Sequence, residues 1–389
     1  MLFVITSVAT VAFGVYWYLN RHKPLKYFLR DLRYAIDMQG CGAAGLIDDW
    51  VNISRNNVVL PEASEKIAVI TGGARGIGKE VVRGLLKAKM TVIMGVRDPQ
   101  SIKKLQDSME NGRKLVAFPL DLQSLKSVKE FADNVLKAYP EVHLLVNNAG
   151  IMYVDYKETE DGFETHMAVN HFSHFYLVHL LLPALKKGGT PDSPSRIVNV
   201  SSCAHYAGYI HFDDLNAKKH YDAVTAYAQS KLAQLMITRY VNKLLEESGE
   251  NVKCYSVHPG IVNTDLFNNT MFSKLPWVTK TLFKTPEKGA VSILFACFNN
   301  EILNKGGLYI SNCQEGISNR FSKNIEHQQK LFQVSCILVG KLDNPFFFNL
   351  ASFTAFTSPK SSLDSLEPRE HSERLDTVLE NDPPSFPRL

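Results

Sequence analysis

From residue 66 onward, short apolar runs alternate with longer stretches in which apolar residues recur every three or four positions. The short runs predict strands buried on both faces of a sheet, and the longer stretches predict helices. The predicted strands are Ile67–Ile70, Thr91–Val96, Leu115–Pro119, Leu144–Val146, Arg196–Val200, Val252–Val257 and Gly307–Ile310, and the helices include Ser127–Tyr139, Phe163–Leu185, Ala223–Glu247 and Pro286–Phe298. These repeated strand–helix units predict an α/β fold, a single domain with a doubly wound parallel sheet of about seven strands and helices on both faces.

Segments of different composition lie on either side of the predicted domain, which spans residues 65–338. Leu2–Leu19 carries no charge, is followed by Asn20-Arg21-His22-Lys23, and is just long enough to cross a bilayer as a helix. Because the basic residues follow the apolar run, we predict an uncleaved membrane anchor over residues 1–23, with the domain on the cytosolic side. A cleaved signal peptide and a buried helix are the alternatives. Residues 339–389 are rich in Ser, Pro and Glu, and we expect a largely disordered tail.

Residues 24–64 are predicted to form a juxtamembrane linker. The residues that would share one helical face are Leu25, Phe28, Leu29, Leu32 and Ile36, with Lys26, Arg30 and Arg33 beside them. This pattern is typical of a helix that lies on a membrane surface. A helix packed on the domain is the alternative. The glycines between Gly40 and Gly45 are expected to break any helix that forms.

Composition excludes several classes of function. The chain has 389 residues, 45% of them hydrophobic and 21% charged, and its net charge of +4 is too small to indicate nucleic-acid binding. Its 6 cysteines lie far apart without a CxxC pair, so we predict reduced thiols and no metal site. His166, His171 and His174 fall on an apolar helical pattern, where core histidines are more common than metal ligands.

A glycine-rich run follows the first predicted strand and opens a helix. It reads Thr71-Gly72-Gly73-Ala74-Arg75-Gly76-Ile77-Gly78, which only approximates the G-x-G-x-x-G fingerprint of dinucleotide-binding proteins. Backbone N–H groups and the positive end of a helix dipole would face outward here, and a β-carbon would block the tight turn. The run therefore predicts a pyrophosphate site, with a turn that serves packing alone as the alternative.

Two arginines bear on the choice of nucleotide. Arg97 follows the second strand, where a cation can hold the 2′-phosphate of NADP and a carboxylate would bind the ribose hydroxyl of NAD. Arg75 in the glycine-rich run supplies a second cation nearby. Asp98 comes directly after Arg97, so the signal is mixed. We predict a preference for NADP(H), with NAD(H) as the alternative.

The pattern Tyr227-Ala228-Gln229-Ser230-Lys231 carries the sharpest catalytic signal. Residues four apart lie on the same helical face, so the lysine would be one turn from the tyrosine. A free phenol titrates near pH 10, and a fixed lysine cation is expected to lower the pKa of this phenol so that it can exchange protons near neutrality. The hydroxyls of Ser201-Ser202 end the fifth strand at the same sheet edge, and Asn170 lies in the preceding long helix.

The ordered set TGGARGIG, DL, NNAG, VNH, IVNVSS, YAQSK and HPGIVNTDL resembles the short-chain dehydrogenase/reductase family over roughly residues 64–335. The resemblance implies a Rossmann-like fold with Tyr227 as proton donor and acceptor, Ser202 polarising the substrate oxygen, and Lys231 also binding the nicotinamide ribose. Asn170 would hold a proton-relay water through a distortion in its helix. The implied cofactor contacts are Gly72, Arg75, Gly76, Ile77 and Gly78 at the pyrophosphate, Asp121 at the adenine, Asn148 at the ribose, and Pro259, Gly260, Val262 and Thr264 at the nicotinamide carboxamide.

Within that family the phrases DGFETHMAVNHFSHF, AYAQSKLAQ and FKTPEKGA resemble the retinol-dehydrogenase-like branch. The resemblance implies a lipophilic alcohol or carbonyl substrate, such as a retinoid, polyisoprenoid or steroid, and a homodimer through the two long helices. It also implies a place on the endoplasmic reticulum membrane with a cytosolic catalytic domain, and lipid-droplet association. The segment at 38–60 and the tail are unlike that branch.

An apolar stretch after the Pro259-Gly260 turn is consistent with a lipophilic substrate. Its apolar residues are Phe267, Met271, Phe272, Leu275, Trp277, Val278, Leu282 and Phe283, within Leu266–Phe283. We call Leu266–Phe283 the lid segment, since it is expected to cover the nicotinamide, and a plain packing helix is the alternative. The sequence thus predicts an NADP(H)-preferring oxidoreductase acting on a lipophilic alcohol or carbonyl. An NAD-dependent alcohol dehydrogenase and a non-catalytic nucleotide-binding membrane scaffold are the alternatives.

Overall fold

The computed structural model describes residues 17–18, 21–274 and 276–340. Its strands are β1 (Ile67–Thr71), β2 (Thr91–Val96), β3 (Leu115–Pro119), β4 (Leu144–Asn147), β5 (Ser195–Val200), β6 (Val252–His258), β7 (Leu308–Ser311) and β8 (Gln314–Glu315). Its α-helices are α1 (Leu25–Val51), α2 (Gly76–Lys87), α3 (Lys103–Asp107), α4 (Leu125–Ala138), α5 (Ser173–Gly188), α6 (Ala223–Glu247), α7 (Pro276–Leu282), α8 (Pro286–Phe298) and α9 (Ile325–Gly340). The alternation confirms the predicted α/β class.

All eight strands form one sheet in the order β3-β2-β1-β4-β5-β6-β7-β8. Every pairing is parallel except that of β7 with β8. The order reverses at β1, where Ile70 pairs with Met94 on one side and Val146 on the other, so a crevice opens at the carboxyl ends of β1 and β4. The prediction of about seven strands missed β8, which has only two residues. Asn312 and Cys313, both at positive φ, turn the chain back to form it.

Helices cover both faces of the sheet, and each face has its own apolar core. On one face α2 and α8 pack on β1, β2 and β6, with Val82, Leu85 and Ile293 fully buried. On the other face α4, α5 and α6 pack on the sheet, with Phe131, Leu181 and Met236 fully buried. Because both faces are buried, the strands read as continuous apolar runs, which is why they could be recognised in the sequence.

The α1 helix packs on the domain as one continuous element, and the prediction that Gly40–Gly45 would break it is wrong. Its inward face carries Phe28, Asp31, Tyr34, Gly45 and Asp49, spaced three or four residues apart. A β-carbon at Gly45 would meet Ile261 at 3.3 Å and the Cys203 sulfur at 3.4 Å, so a glycine lets the helix approach closely. Docking therefore offsets the roughly 1 kcal/mol by which a glycine disfavours a helix.

The α9 helix packs against α5 and α6, the two long helices that were predicted to form dimer faces. The Phe332 ring lies 5.5 Å from the Phe175 ring of α5 and 5.1 Å from the Tyr240 ring of α6. The homodimer through these two helices stays a prediction. The predicted tail is outside the described residues apart from the end of α9. The predicted anchor is outside them except for residues 17–18 and 21–23, and no helix in the described part of the chain is long and apolar enough to span a bilayer.

Candidate active site

The glycine-rich run after β1 forms a tight turn into α2 that leaves room for a phosphate. Gly72 and Gly76 have φ of 67° and 55°, a region that favours glycine. A β-carbon at Gly78 would lie 2.1 Å from the Gly72 carbonyl oxygen, so only glycine fits there. Arg75 is the N-terminal cap residue of α2, and its side chain makes no capping hydrogen bond to the helix. The half-buried Ile77 follows in the first turn. This cradle fits the pyrophosphate of a dinucleotide.

Asn148 and Thr71 hold the shape of that turn. The Asn148 side-chain amide donates to the Thr71 and Gly72 carbonyl oxygens, each at 3.0 Å. The Thr71 hydroxyl in turn accepts from the Asn148 and Ala149 N–H groups. The family resemblance implies a ribose contact for Asn148, which stays a prediction, and in the structure its amide nitrogen supports the turn. Asp121, half-buried after β3, accepts a 2.9 Å hydrogen bond from the Gln123 N–H.

The two arginines lie at the surface near the same end of the sheet. Arg75 is 76% exposed and pairs with Asp265 at 3.2 Å. Arg97 is also exposed at the end of β2. The neighbouring Asp98 caps the turn Pro99–Ile102 by accepting from the Gln100 N–H at 2.9 Å. One carboxylate oxygen of Asp98 is therefore engaged locally, and both arginines are reachable from solvent.

The segment predicted to contact the nicotinamide follows β6 and turns toward the glycine-rich run. Pro259, Gly260 and Val262 are buried, and Gly260 has a φ of 91°. Thr264 begins the short helix Asp265–Asn269 as its cap. A β-carbon on Gly76 would lie 3.3 Å from the Thr264 methyl group, so the two predicted cofactor segments meet across the crevice.

Tyr227 and Ser202 come together at the carboxyl edge of β5, as the sequence predicted. Tyr227 lies in the first turns of α6, whose cap Asp222 accepts from the Thr225 N–H at 2.9 Å. Burial leaves the tyrosine 3% exposed and raises the pKa of its phenol, while a hydrogen bond with Ser202 opposes the rise. The expected lowering of this pKa by Lys231 is not found, because desolvation is the dominant effect.

Lys231 lies one turn further along α6, 4% exposed. Its ammonium nitrogen donates to the Val200 carbonyl oxygen and to Gln234 Oε1, each at 2.9 Å, and lies 5.8 Å from the centre of the Tyr227 ring. Burial lowers the pKa of Lys231 to about 7, so this lysine is close to its titration point at neutral pH. The sequence gave no signal for Gln234, which is a partner because it is three residues further on the same face.

Asn170 lies in a helical distortion, as the family resemblance implies. Met167–Phe172 forms a π-helical turn at the start of the helix that continues as α5. The Asn170 side chain accepts from the Ile151 N–H at 2.9 Å and donates to the Ile151 carbonyl oxygen and the Ser230 hydroxyl. Ser230, inside the YAQSK pattern, was not predicted to matter. A β-carbon on Gly150 would lie 3.3 Å from Asn170 Oδ1 and 3.4 Å from Lys231 Nζ, so this glycine lets the two side chains approach.

Apolar side chains pack around Tyr227. The group that packs together consists of the buried Met152, Ala204 and Tyr227 with the partly buried Met38, Tyr153, Leu266 and Phe267. Phe267 begins an aromatic cluster within the lid segment, with ring centres 6.3 Å from Phe272 and 4.9 Å from Phe283. Trp277, by contrast, is 70% exposed. Leu275 and the Met271 side chain lie outside the described part of the chain.

The three predicted core histidines are buried and hydrogen-bonded. His171 contacts the Ser335 hydroxyl, His174 contacts the Thr71 hydroxyl and His166 contacts Glu164, at 2.8–2.9 Å. Burial lowers the pKa of His171 to about 3 and of His174 to about 4, so both are neutral. Within the described ranges, no group of three His, Cys, Asp or Glu residues could hold a metal ion.

Together, the pyrophosphate cradle and, at the same sheet edge, the half-buried Ser202 beside the buried Tyr227 and Lys231 define a nicotinamide-nucleotide oxidoreductase of the Rossmann type. A family model described as short chain dehydrogenase matches residues 66–273. Polyprenol dehydrogenase from Danio rerio is 40% identical over 289 residues, covering 72% of this chain and 89% of the relative. Human retinol dehydrogenase 11 is 39% identical, covering 71% and 86%. The chain therefore belongs to the short-chain dehydrogenase family, in its retinol-dehydrogenase-like branch, and is an NAD(P)-dependent oxidoreductase that acts on alcohols.

Solved structures agree on the fold. An uncharacterised protein from Mycobacterium paratuberculosis is 33% identical, with a TM-score of 0.60, and the match covers 72% of this chain and 95% of that one. The Pseudomonas aeruginosa RhlG/NADP complex has a TM-score of 0.52 at 24% identity and covers 67% and 98%, which supports the fold alone. Since the family model begins at residue 66, α1 lies outside the part of the chain that it matches.

Proposed function

We propose that this enzyme prefers NADP(H) and interconverts a lipophilic alcohol of the polyprenol or retinoid class with its carbonyl form. The observation that carries the proposal is the apolar wall around Tyr227, in which the phenol is the reactive polar group that faces aliphatic and aromatic side chains. An apolar pocket with a few convergent polar groups is the usual site for a lipophilic ligand. The names of the relatives, polyprenol and retinol dehydrogenases, point to the same chemical class.

In the proposed mechanism, the side chains hold the reacting oxygen and move its proton. Tyr227 donates its phenolic proton to the substrate oxygen in reduction and takes it back in oxidation, and Ser202 donates a second hydrogen bond to the same oxygen. The raised pKa keeps Tyr227 protonated at neutral pH, which suits the reductive direction. Lys231 and Asn170 hold the polar side of the site through their contacts with Val200 and Ile151. The bound nicotinamide supplies or accepts the hydride.

Membrane association is part of the proposal. Leu25, Leu29 and Ile36 are exposed on the outer side of α1, and the exposed Lys26 and Arg33 lie on the same helix. An apolar stripe beside basic residues is the pattern of a helix lying in a membrane interface. With residues 1–23 as an anchor in the endoplasmic reticulum, the enzyme would take its substrate directly from the bilayer. Lipid-droplet association would use the same surface.

NAD-dependent oxidation of a similar alcohol is the second candidate. It is favoured by the contact between Arg75 and Asp265, because an arginine already paired with a carboxylate must give up that partner to hold a 2′-phosphate. The two candidates differ in nucleotide and direction, and they use the same Ser202, Tyr227 and Lys231. A non-catalytic scaffold does not need this combination of side chains, and family membership argues against a scaffold.

The test uses the full-length protein in detergent micelles. Nicotinamide fluorescence measures NADPH and NADH binding in parallel, and product analysis follows turnover of a polyprenol and of retinol. Roughly tenfold tighter binding of NADPH supports the first candidate, whereas equal or tighter NADH binding supports the second. Tyr227→Phe should lower turnover by a factor of about 10² to 10⁴ and leave nucleotide binding intact. Tyr156→Phe, a surface control, should change neither turnover nor nucleotide binding. Unchanged turnover in Tyr227→Phe would refute the mechanism.

A further inference from the structure

The α1 helix contacts the predicted nicotinamide segment through a buried ion pair. Asp49, in the last turn of α1, lies 2.8 Å from the Lys284 ammonium group, and both side chains are buried. The other Asp49 oxygen accepts a 2.7 Å hydrogen bond from the Ile261 N–H. Ile261 lies between Gly260 and Val262. One carboxylate thus binds both the segment that follows β6 and the residue that follows the lid segment.

This pair lies against the backbone of Gly260. A β-carbon on Gly260 would lie 2.7 Å from both Asp49 Oδ2 and Lys284 Nζ. The same region closes the base of the lid segment, since the Lys284 N–H donates to the Ile261 carbonyl oxygen at 2.8 Å and the Asn263 N–H donates to the Lys284 carbonyl oxygen at 2.9 Å. Lys284 also donates to Asn312 at 2.5 Å. The ion pair therefore joins the residue that follows the lid segment to the segment around Gly260.

Burying the Asp49 carboxylate at the end of α1 costs free energy, which the partners of this carboxylate must offset. Negative charge near the C-terminus of a helix is disfavoured by the helix dipole, and burial of a carboxylate adds a desolvation cost. The adjacent Asp48 is also engaged, accepting from Asn312 at 2.6 Å and from the Ser311 hydroxyl at 3.1 Å. Two consecutive aspartates at this helix end thus bind β7, its turn and the Gly260 segment rather than solvent.

We propose that Asp49 is a positioning residue of the active site, which holds the Gly260 segment in the shape that receives the nicotinamide end of the cofactor. The proposal rests on the proposed function, because it gives a role to that same site. Asp49 acts through Ile261 and Lys284, without contact with the substrate. Its loss should therefore affect the nicotinamide end of the nucleotide and spare the adenine end.

The test compares Asp49→Asn with Asp31→Asn in the full-length protein. Asp31 is a matched control, since it is a buried acid on the same face of α1 whose partners, Lys23 and His220, are not predicted to contact the cofactor. Calorimetric titration measures binding of NADPH and of 2′,5′-ADP, which lacks the nicotinamide. Asp49→Asn should weaken NADPH binding roughly tenfold and leave 2′,5′-ADP binding unchanged. Asp31→Asn should change neither affinity.

Three results would overturn the proposal: unchanged NADPH binding in Asp49→Asn, equal losses for both ligands, or an equal loss in Asp31→Asn. Should the single variant fail to fold, Asp49→Leu combined with Lys284→Met replaces both charges with apolar groups, a change that often preserves stability. The double variant should show the same selective loss of NADPH binding. If the wild-type protein binds neither ligand, the proposed function itself is refuted. If the wild type binds both ligands and the variant is unaffected, only the proposal for Asp49 is refuted.

A separate observation concerns Met38, in the middle of α1. Met38 is partly buried and packs against the apolar cluster of Met152, Ala204 and Tyr227. It reaches this group from a helix that precedes the family-matched residues. From this packing we infer that Met38 forms part of the substrate wall and sets the preference for substrate size, again given the proposed function. Methionine suits such a role because its unbranched side chain adapts to irregular apolar ligands.

Met38→Trp tests this inference, with Ala44→Trp as the control at an exposed position on the same helix. The measurement is kcat/KM for a long-chain polyprenol and for geraniol. Met38→Trp should lower the ratio of the polyprenol value to the geraniol value roughly tenfold by narrowing the pocket, and Met38→Ala should not lower it. Ala44→Trp should leave the ratio unchanged. An unchanged ratio in Met38→Trp, or equal loss for both substrates, would contradict the inference, whereas inactivity of the wild type toward both would count against the proposed function.

Discussion

The glycine-rich turn after β1 lies near the surface, with the Arg75 side chain exposed and paired with Asp265, whereas the group after β5 is enclosed, with Tyr227 and Lys231 almost inaccessible to solvent. At the first site the backbone forms the binding surface, because Gly72, Gly76 and Gly78 leave room where side chains would intrude. At the second site the side chains themselves are the reagents, and burial sets their protonation.

The difference indicates which changes each site tolerates. A surface formed by backbone should be less sensitive to nearby charges than to one added carbon atom. A buried reactive group should be sensitive to pH, because desolvation changes the pKa of each member. The following predictions test this contrast, starting with the largest expected effect.

Gly78→Ala should have the largest effect. The added β-carbon would lie 2.1 Å from the Gly72 carbonyl oxygen and 2.5 Å from the Asn148 amide nitrogen, so the turn must move. We expect a loss of about 3 kcal/mol in the free energy of unfolding, the upper end of the cost of overpacking, and loss of nucleotide binding. Denaturant titration and nicotinamide fluorescence measure the two effects. The control is Gly40→Ala, in an open stretch of α1, which should be neutral or stabilising.

Gly78 and its neighbours could be recognised in the sequence because their signals are local. A strand, a glycine turn and a helix follow one another within twenty residues or so, and the Tyr227–Lys231 spacing lies within one helix. The docking of α1 gave no local signal, since Asp49 and its partner Ile261 are 212 residues apart in the chain. For the same reason the glycines of α1 were misread as a break. The raised pKa of Tyr227 could not be predicted either, because burial depends on the whole fold.

The second prediction concerns Lys231 and the pH dependence of stability. Its pKa is lowered to about 7 by burial, whereas the pKa of an unfolded lysine is about 10.4. Between these values the unfolded chain binds more protons, so this lysine makes the folded protein more stable as pH rises from about 7 to 10. We expect the free energy of unfolding of the wild type to rise by an amount on the order of 2 kcal/mol over this pH range. Lys231→Met should lack this rise.

Denaturant titrations of the cofactor-free protein at several pH values provide the measurement. Lys129→Met is the control, because Lys129 is a surface lysine paired with Asp133 in the next turn of α4. Its variant should keep the pH profile of the wild type. If Lys231→Met also keeps that profile, the buried ammonium group is compensated in the folded protein, and the contrast between the two sites weakens.

The smallest effect is expected for Arg75→Ala. An exposed ion pair such as Arg75–Asp265 contributes about 0–1 kcal/mol, so the free energy of unfolding should hardly change. If Arg75 binds the 2′-phosphate, NADPH affinity should fall about threefold to tenfold and NADH affinity should stay the same. Asp265→Ala should raise the affinity for NADPH, because it releases the Arg75 guanidinium from its present partner. Both effects should diminish at high ionic strength, since the charges are exposed. Identical losses of affinity for NADPH and NADH in Arg75→Ala would mean that Arg75 maintains the shape of the turn and does not bind the 2′-phosphate. Arg75 would then belong to the same binding surface as the backbone of the glycine-rich turn.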